Sequence, residues 1–321
     1  MKKVLASLLF LLMAFSVSFA AESQLEDGSF IKKLNVSGSL RTRYSAYESS
    51  TTVDTMGISR ARIKITGELA PDFSFLVQPD FAGLSTGGTV AFADAYIEFK
   101  NLCAHVKSLK IGQFLLPFAY DSGKYKTIYG TGLNPSHYGV IMPARDYGLR
   151  VAGVAPILSN IYFDAAVVNG TGSVDTNKSK DIVARVNFKN DMLDLGLSSY
   201  SGKAGATQTA KEDIAVDLEI KGGPSLLVAE YVIGQNTAAT AKLTEASLQL
   251  SYLLKNYEPL VKLEIYDPSV STSSDGVNTA TLGLNYVFDS NRKLLVNYNI
   301  PMEETTQINN NSLLIELQVQ I

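Results

Sequence analysis

The sequence predicts an all-β fold, a closed sixteen-stranded antiparallel transmembrane β-barrel whose long third outer loop folds into the lumen. Three observations predict it. Apolar and polar residues alternate with a period of two over most of the chain, which is the spacing of a strand with two different faces. No segment beyond the extreme N-terminus has the length and apolarity of a transmembrane helix, so a membrane crossing requires a closed barrel. The links between alternating segments are by turns short and long, as periplasmic turns and outer loops are in such barrels.

At the N-terminus, Lys2 and Lys3 precede an apolar run from Val4 to Val17 that ends in Ser18-Phe19-Ala20. This predicts a secretory signal peptide over residues 1–20, because the run is shorter than the roughly 20 apolar residues of a membrane anchor and a small-x-small site follows it. Residues 21–33 are expected to form a periplasmic segment, and residues 34–321 the barrel.

The alternation begins with Leu34 to Tyr44 and sharpens from Arg60 to Leu69, where Arg60, Arg62, Lys64, Thr66 and Glu68 interleave with Ala61, Ile63, Ile65, Gly67 and Leu69. A helix would scatter those charges, whereas a strand aligns them. Further segments follow at Phe73–Phe81, Val90–Lys100, Val106–Leu116, Tyr147–Ala155, Asn160–Val168, Ile182–Lys189 and Met192–Ser201. The remaining seven run over Asp213–Lys221, Leu226–Ile233, Glu245–Leu254, Leu260–Tyr266, Asn278–Phe288, Lys293–Ile300 and Ser312–Ile321. Sixteen is an even number, and most segments approach the ~9 to 11 residues that span a bilayer as a tilted strand. Tight turns such as Ala70-Pro71-Asp72 and Asn190-Asp191 follow the even segments, and longer polar loops such as Asn169–Asn177 and Pro301–Asn311 follow the odd ones. Both termini are therefore expected on the periplasmic side.

Rows such as Ile214, Val216, Leu218 and Ile220, or Leu313, Ile315, Leu317, Val319 and Ile321, are suited to lipid. Tyr44, Tyr231, Tyr252, Tyr286, Phe288 and Tyr298 share that phase near strand ends and are candidates for an aromatic girdle.

Composition excludes several classes. The formal charge of -3 becomes -5 once Lys2 and Lys3 are removed, which argues against a nucleic-acid partner. The single Cys103 cannot make an internal disulfide. With two histidines, His105 and His137, and no metal-ligand spacing, nucleophile elbow or phosphate loop, the chain predicts no enzyme activity, metal site or cofactor.

Lumen-facing charge is the informative feature. The polar phase places Arg41 and Arg43 on the first strand, Arg60, Arg62 and Lys64 on the second, Arg150 on the sixth and Arg185 on the eighth. The first five should form one basic patch, with only Glu68 nearby in sequence to neutralise it. Asp80, Asp94, Glu98 and Asp164, and then an opposing acidic wall of Asp217, Glu219, Glu230, Glu264 and Glu316, line the rest. Such opposed walls set a field across the bore that sorts ions by sign. Lys124 and Lys126 lie in the long link between Leu116 and Tyr147, among Tyr120, Tyr125 and Tyr129, and would stand at the narrowest point if that loop folds inward.

Ser59-Arg60-Ala61-Arg62-Ile63-Lys64-Ile65-Thr66-Gly67-Glu68-Leu69, Asp72-Phe73-Ser74-Phe75, Asp94-Ala95-Tyr96-Ile97-Glu98-Phe99, Ile111-Gly112-Gln113-Phe114 with Pro117-Phe118, Arg145-Asp146-Tyr147-Gly148 and Asn169-Gly170 resemble, in order and spacing, the phosphate-selective porin O and P family. The resemblance spans Leu34 to Gly170. It implies a homotrimeric outer-membrane porin whose third outer loop enters the lumen and whose basic residues, Arg60 and Arg62 among them, draw anions such as phosphate through. The expected activity is passive diffusion of small hydrophilic solutes, with small inorganic or organic anions and outer-membrane lipid as the partners. Two alternatives stand beside it. A substrate-specific channel for a sugar or acidic organic solute would show saturable block by that solute. An outer-membrane lipid hydrolase would need a serine, such as Ser136, and a histidine, such as His137, brought together on the lipid-facing surface.

Overall fold

The computed structural model describes residues 21–24, 31–49, 51–119, 144–156, 158–172, 175, 177–204, 208–236 and 241–321. Seventeen strands form one sheet. They are β1 (Ala21–Gln24), β2 (Lys33–Tyr47), β3 (Thr55–Ala70), β4 (Phe73–Asp80), β5 (Ala91–Lys100), β6 (Val106–Leu115), β7 (Arg145–Val154), β8 (Ile161–Val168), β9 (Asp181–Lys189), β10 (Leu193–Ala204), β11 (Thr209–Gly222), β12 (Ser225–Asn236), β13 (Ala241–Tyr252), β14 (Tyr257–Asp267), β15 (Val277–Val287), β16 (Arg292–Glu303) and β17 (Ser312–Gln320).

From β2 to β17 every strand pairs antiparallel with its chain neighbour. The ring closes where β17 pairs with β2, from Ser312 opposite Tyr47 to Gln320 opposite Ser39. Gly38 and Ile321 extend the seam with two backbone bonds of 2.7 and 2.8 Å. Sixteen strands therefore make a closed barrel without an edge. The short β1 adds to β2 below the seam, with Ala21 opposite Val36 and Gln24 opposite Lys33.

Side chains are arranged inside out relative to a water-soluble protein. On β11, Lys211, Asp213, Asp217 and Glu219 are buried while Ile214, Val216 and Ile220 are exposed. Alternation places the charged set on the inner face, and the outer apolar row is satisfied only by an apolar solvent. Leu248, Leu250, Leu263, Ile265, Leu282 and Leu284 continue the exposed belt. At the tight-turn end the outer face carries a cluster of rings, with Tyr257 5.0 Å from Tyr286 and Tyr286 4.8 Å from Phe288. Nearer the loop end, the Tyr44 and Tyr298 hydroxyls donate to Asp54 (3.3 Å) and Glu48 (2.8 Å).

The strands run further than the apolar pattern suggests. β3 begins at Thr55, its alternation out of phase across the bulge at Ser59, and β10 reaches Ala204 and β12 Asn236 because their backbone ladders continue through small and polar residues. A bulge between Arg41 and Thr42 adds Ser59 to the inner face, and another at Pro79 falls where a proline cannot donate to the ladder. The link after β4 contains a short 3-10 helix, Ala82–Thr86.

Candidate functional site: the charged bore

The inner face of β2 and β3 collects guanidinium groups because lumen-phase positions on neighbouring strands stand side by side, with Arg41 opposite Arg60. Barrel closure then brings in an acid from the far end of the sequence. Arg43 Nε and Nη2 lie 2.8 and 2.6 Å from Glu316 Oε2, which also accepts from Ser59 Oγ at 2.7 Å. Arg41 Nη1 is 3.9 Å from the other Glu316 oxygen. Glu316 was expected on the facing wall. It lies instead within the basic patch, because closure makes β17 the neighbour of β2.

Arg62 Nε pairs with Asp80 Oδ2 at 2.6 Å, and Arg145, at the start of β7, pairs with Asp94 at 3.1 Å. Arg60 sits within electrostatic reach of Arg41, Arg62 and Arg145 and makes no ion pair among the described residues. This cluster thus holds five guanidiniums, Arg41, Arg43, Arg60, Arg62 and Arg145, against three carboxylates, Glu316, Asp80 and Asp94. It keeps a surplus of two positive charges. Toward the tight-turn end, Lys64, Glu68, Tyr96, Glu98 and Lys100 line a polar recess of about 350 Å³, where Lys100 pairs with Glu68 at 3.5 Å.

Half-way round the ring the charges are locked. Arg185 on β9 reaches across β10 and grips Asp217 on β11 through two bonds, one of them 2.7 Å, and Arg185 Nη1 donates to Ser198 Oγ at 3.1 Å. Gly196 makes the reach possible, since a Cβ there would overlap the Arg185 guanidinium. Arg150 grips Asp164 in the same two-pronged way, with Nε to Oδ1 at 2.8 Å, and donates a further bond to the Leu115 carbonyl at 2.7 Å. Both arginines face the lumen as the strand phase predicts, yet each is neutralised by its carboxylate. Two further members of the acidic wall are paired, Glu219 with Lys221 (2.6 Å) and Glu264 with Lys262 (3.5 Å), and Asp217, Glu219, Glu230 and Glu264 are between 1 and 6 % exposed.

The described start of the long third connection lies inside the barrel. Leu116 and Phe118 are buried against Ala166, Val168, Val183, Tyr200 and Val232, which all project from the inner face of β8–β12. The Ala119 N–H donates to Ser198 Oγ at 3.0 Å, the same oxygen that accepts from Arg185. Lys124 and Lys126 lie outside the described residues.

Sequence reasoning missed several inner-face groups. Asp213 and Glu245 are buried and in the same phase as Asp217 and Glu219, or as Ser247 and Gln249, so a stricter reading of the period would have found them. Arg145 escaped because it occupies the first position of its strand. At the tight turn after β5, Cys103 is exposed, and the Val106 N–H on its Sγ (3.4 Å) draws the thiol below its ordinary pKa.

A profile described as Gram-negative porin matches residues 7–305 of the chain. The chain belongs to the Gram-negative porin family. No curated protein matches it, but solved structures share its fold. The anion-selective porin from Comamonas acidovorans aligns with a TM-score of 0.68 at 13% identity, over 90% of this porin and 99% of that chain. OmpF of Salmonella typhi, in complex with daunomycin, gives 0.68 at 12% identity over 90% and 98%. OmpT of Vibrio cholerae, in a trimer form, gives 0.65 at 15% identity over 90% and 99%. Family and closed barrel together place the porin in the outer membrane.

Proposed function

We propose that this porin is a passive, non-enzymatic channel for small hydrophilic solutes that favours anions, phosphate among them. The observation that carries the reading is Arg60, a guanidinium on the half-open inner wall with no carboxylate of its own among the described residues. Paired arginines keep the bore wet. A surplus one raises the local concentration of anions, and several planar guanidiniums around one point offer the forked donors that phosphate oxygens accept. The attraction stays weak because the groups face water, which conduction requires.

In this reading residues 1–20 are removed on export and both termini are periplasmic. Three chains assemble as a homotrimer, as the Vibrio cholerae relative does. The third loop narrows the bore, with Lys124 and Lys126 near the constriction. The inward docking of Leu116–Ala119 supports that path, and the expected phosphate preference rests on the resemblance of residues 34–170 to phosphate-selective porins. Recording in planar bilayers tests the channel itself: purified porin should give discrete conductance steps, and their absence would refute it.

A further inference from the structure

Between the docked segment Leu116–Ala119 and the tight-turn end of β6–β9, the lumen keeps a recess of about 360 Å³. Its walls are mainly apolar, formed by Leu116, Pro117, Phe118 and Val154, with Ala152 facing the space. Three cations border it, and their states differ. Arg150 spends its donors on Asp164 and the Leu115 carbonyl, and Arg185 spends its own on Asp217 and Ser198. Both present neutral ion pairs. Lys107, on the exposed rim, makes no ion pair among the described residues.

A recess of this character carries one uncompensated positive charge and an apolar wall, with the neutral Arg150–Asp164 pair at its side. Phosphate would leave the apolar wall unused, and a second negative charge on any occupant would meet only arginines already paired with Asp164 and Asp217. A volume near the lower end of the range for small-molecule pockets suits one ring or a short chain. We infer that this recess is a transient subsite for monoanionic carboxylates with an apolar body, which dock their carboxylate on Lys107 and their hydrocarbon against Phe118 and Val154. The subsite rests on the open-channel reading and adds a second class of solute to it, taken on the wall away from Arg60.

Benzoate is the probe. Added to a conducting bilayer, it should reduce current saturably, while its neutral analogue benzamide and inorganic phosphate at equal concentration should not. Ala152→Leu, which fills the recess, and Lys107→Gln, which removes the charge, should each raise the half-blocking concentration, the latter about fivefold. A conducting, anion-preferring channel that benzoate leaves unblocked would overturn the subsite alone, as would equal block by benzamide or a block that neither substitution weakens. Saturation-transfer NMR of benzoate with detergent-solubilised porin reads the site without conductance. Binding there that Ala152→Leu abolishes supports the subsite even if no current steps appear, and no binding overturns it.

Discussion

On the wall formed by β2–β5 Arg43, Arg60 and Arg62 are half-buried beside the buried Arg41, and with Arg145 the arginines outnumber their carboxylates, whereas on the wall formed by β9–β14 Arg185 is held by Asp217, Lys221 by Glu219 and Lys262 by Glu264. The residue types are the same. What separates them is whether a counter-charge is built in. A buried guanidinium gripped by a carboxylate is part of the frame, and its field ends at its partner. A surplus guanidinium on a water-lined wall contributes little to stability and acts on whatever passes.

Breaking a matched pair should have the largest effect on the frame. Arg185→Ala leaves the Asp217 carboxylate, which has no exposed side-chain surface, without its partner, and loosens Ser198 beneath the docked loop start. Loss of a buried partner costs about 3 to 5 kcal/mol, readable as a lower denaturant midpoint for unfolding in detergent micelles. Gly196→Ala disturbs the same grip by crowding the guanidinium and should cost less, about 1 to 3 kcal/mol in the same assay. An unaltered midpoint in both would show that the matched wall is no frame.

On the other wall the effects should appear in selectivity instead. Arg60→Ala removes one of two surplus charges without orphaning an acid, so stability should change by no more than about 0.5 kcal/mol while the anion preference falls. Asp80→Asn works in the opposite direction, freeing Arg62 and raising that preference. Equal reversal potentials for wild type and both variants would erase the distinction between the walls.

The barrel itself was legible because a period of two survives from Leu34 to Ile321, so all sixteen segments correspond to strands β2–β17. Strand ends were less so: Gly202–Ala204 extends its ladder through small and polar residues that carry little apolar signal, while Met56 and Ile58 carry the alternation of β3 back to Thr55 with its phase shifted by the bulge at Ser59. The lumen phase of Arg41, Arg43, Arg60 and Arg62 was readable from alternation, but their partners were not. Glu316 reaches Arg43 only because the ring closes, and Asp80 meets Arg62 across a hairpin whose bulges shift the register. Period gives the face on which a charge lies; pairing depends on which strands become neighbours and where the ladder slips.

The zero-current potential of a wild-type bilayer held across a KCl gradient tests the central claim most directly. A surplus of two positive charges in the cluster that contains Arg60 predicts a potential of the sign set by chloride, shrinking as total salt rises and the screening length falls from about 10 Å at 0.1 M to about 3 Å at 1 M. A potential of the sign set by potassium would contradict it.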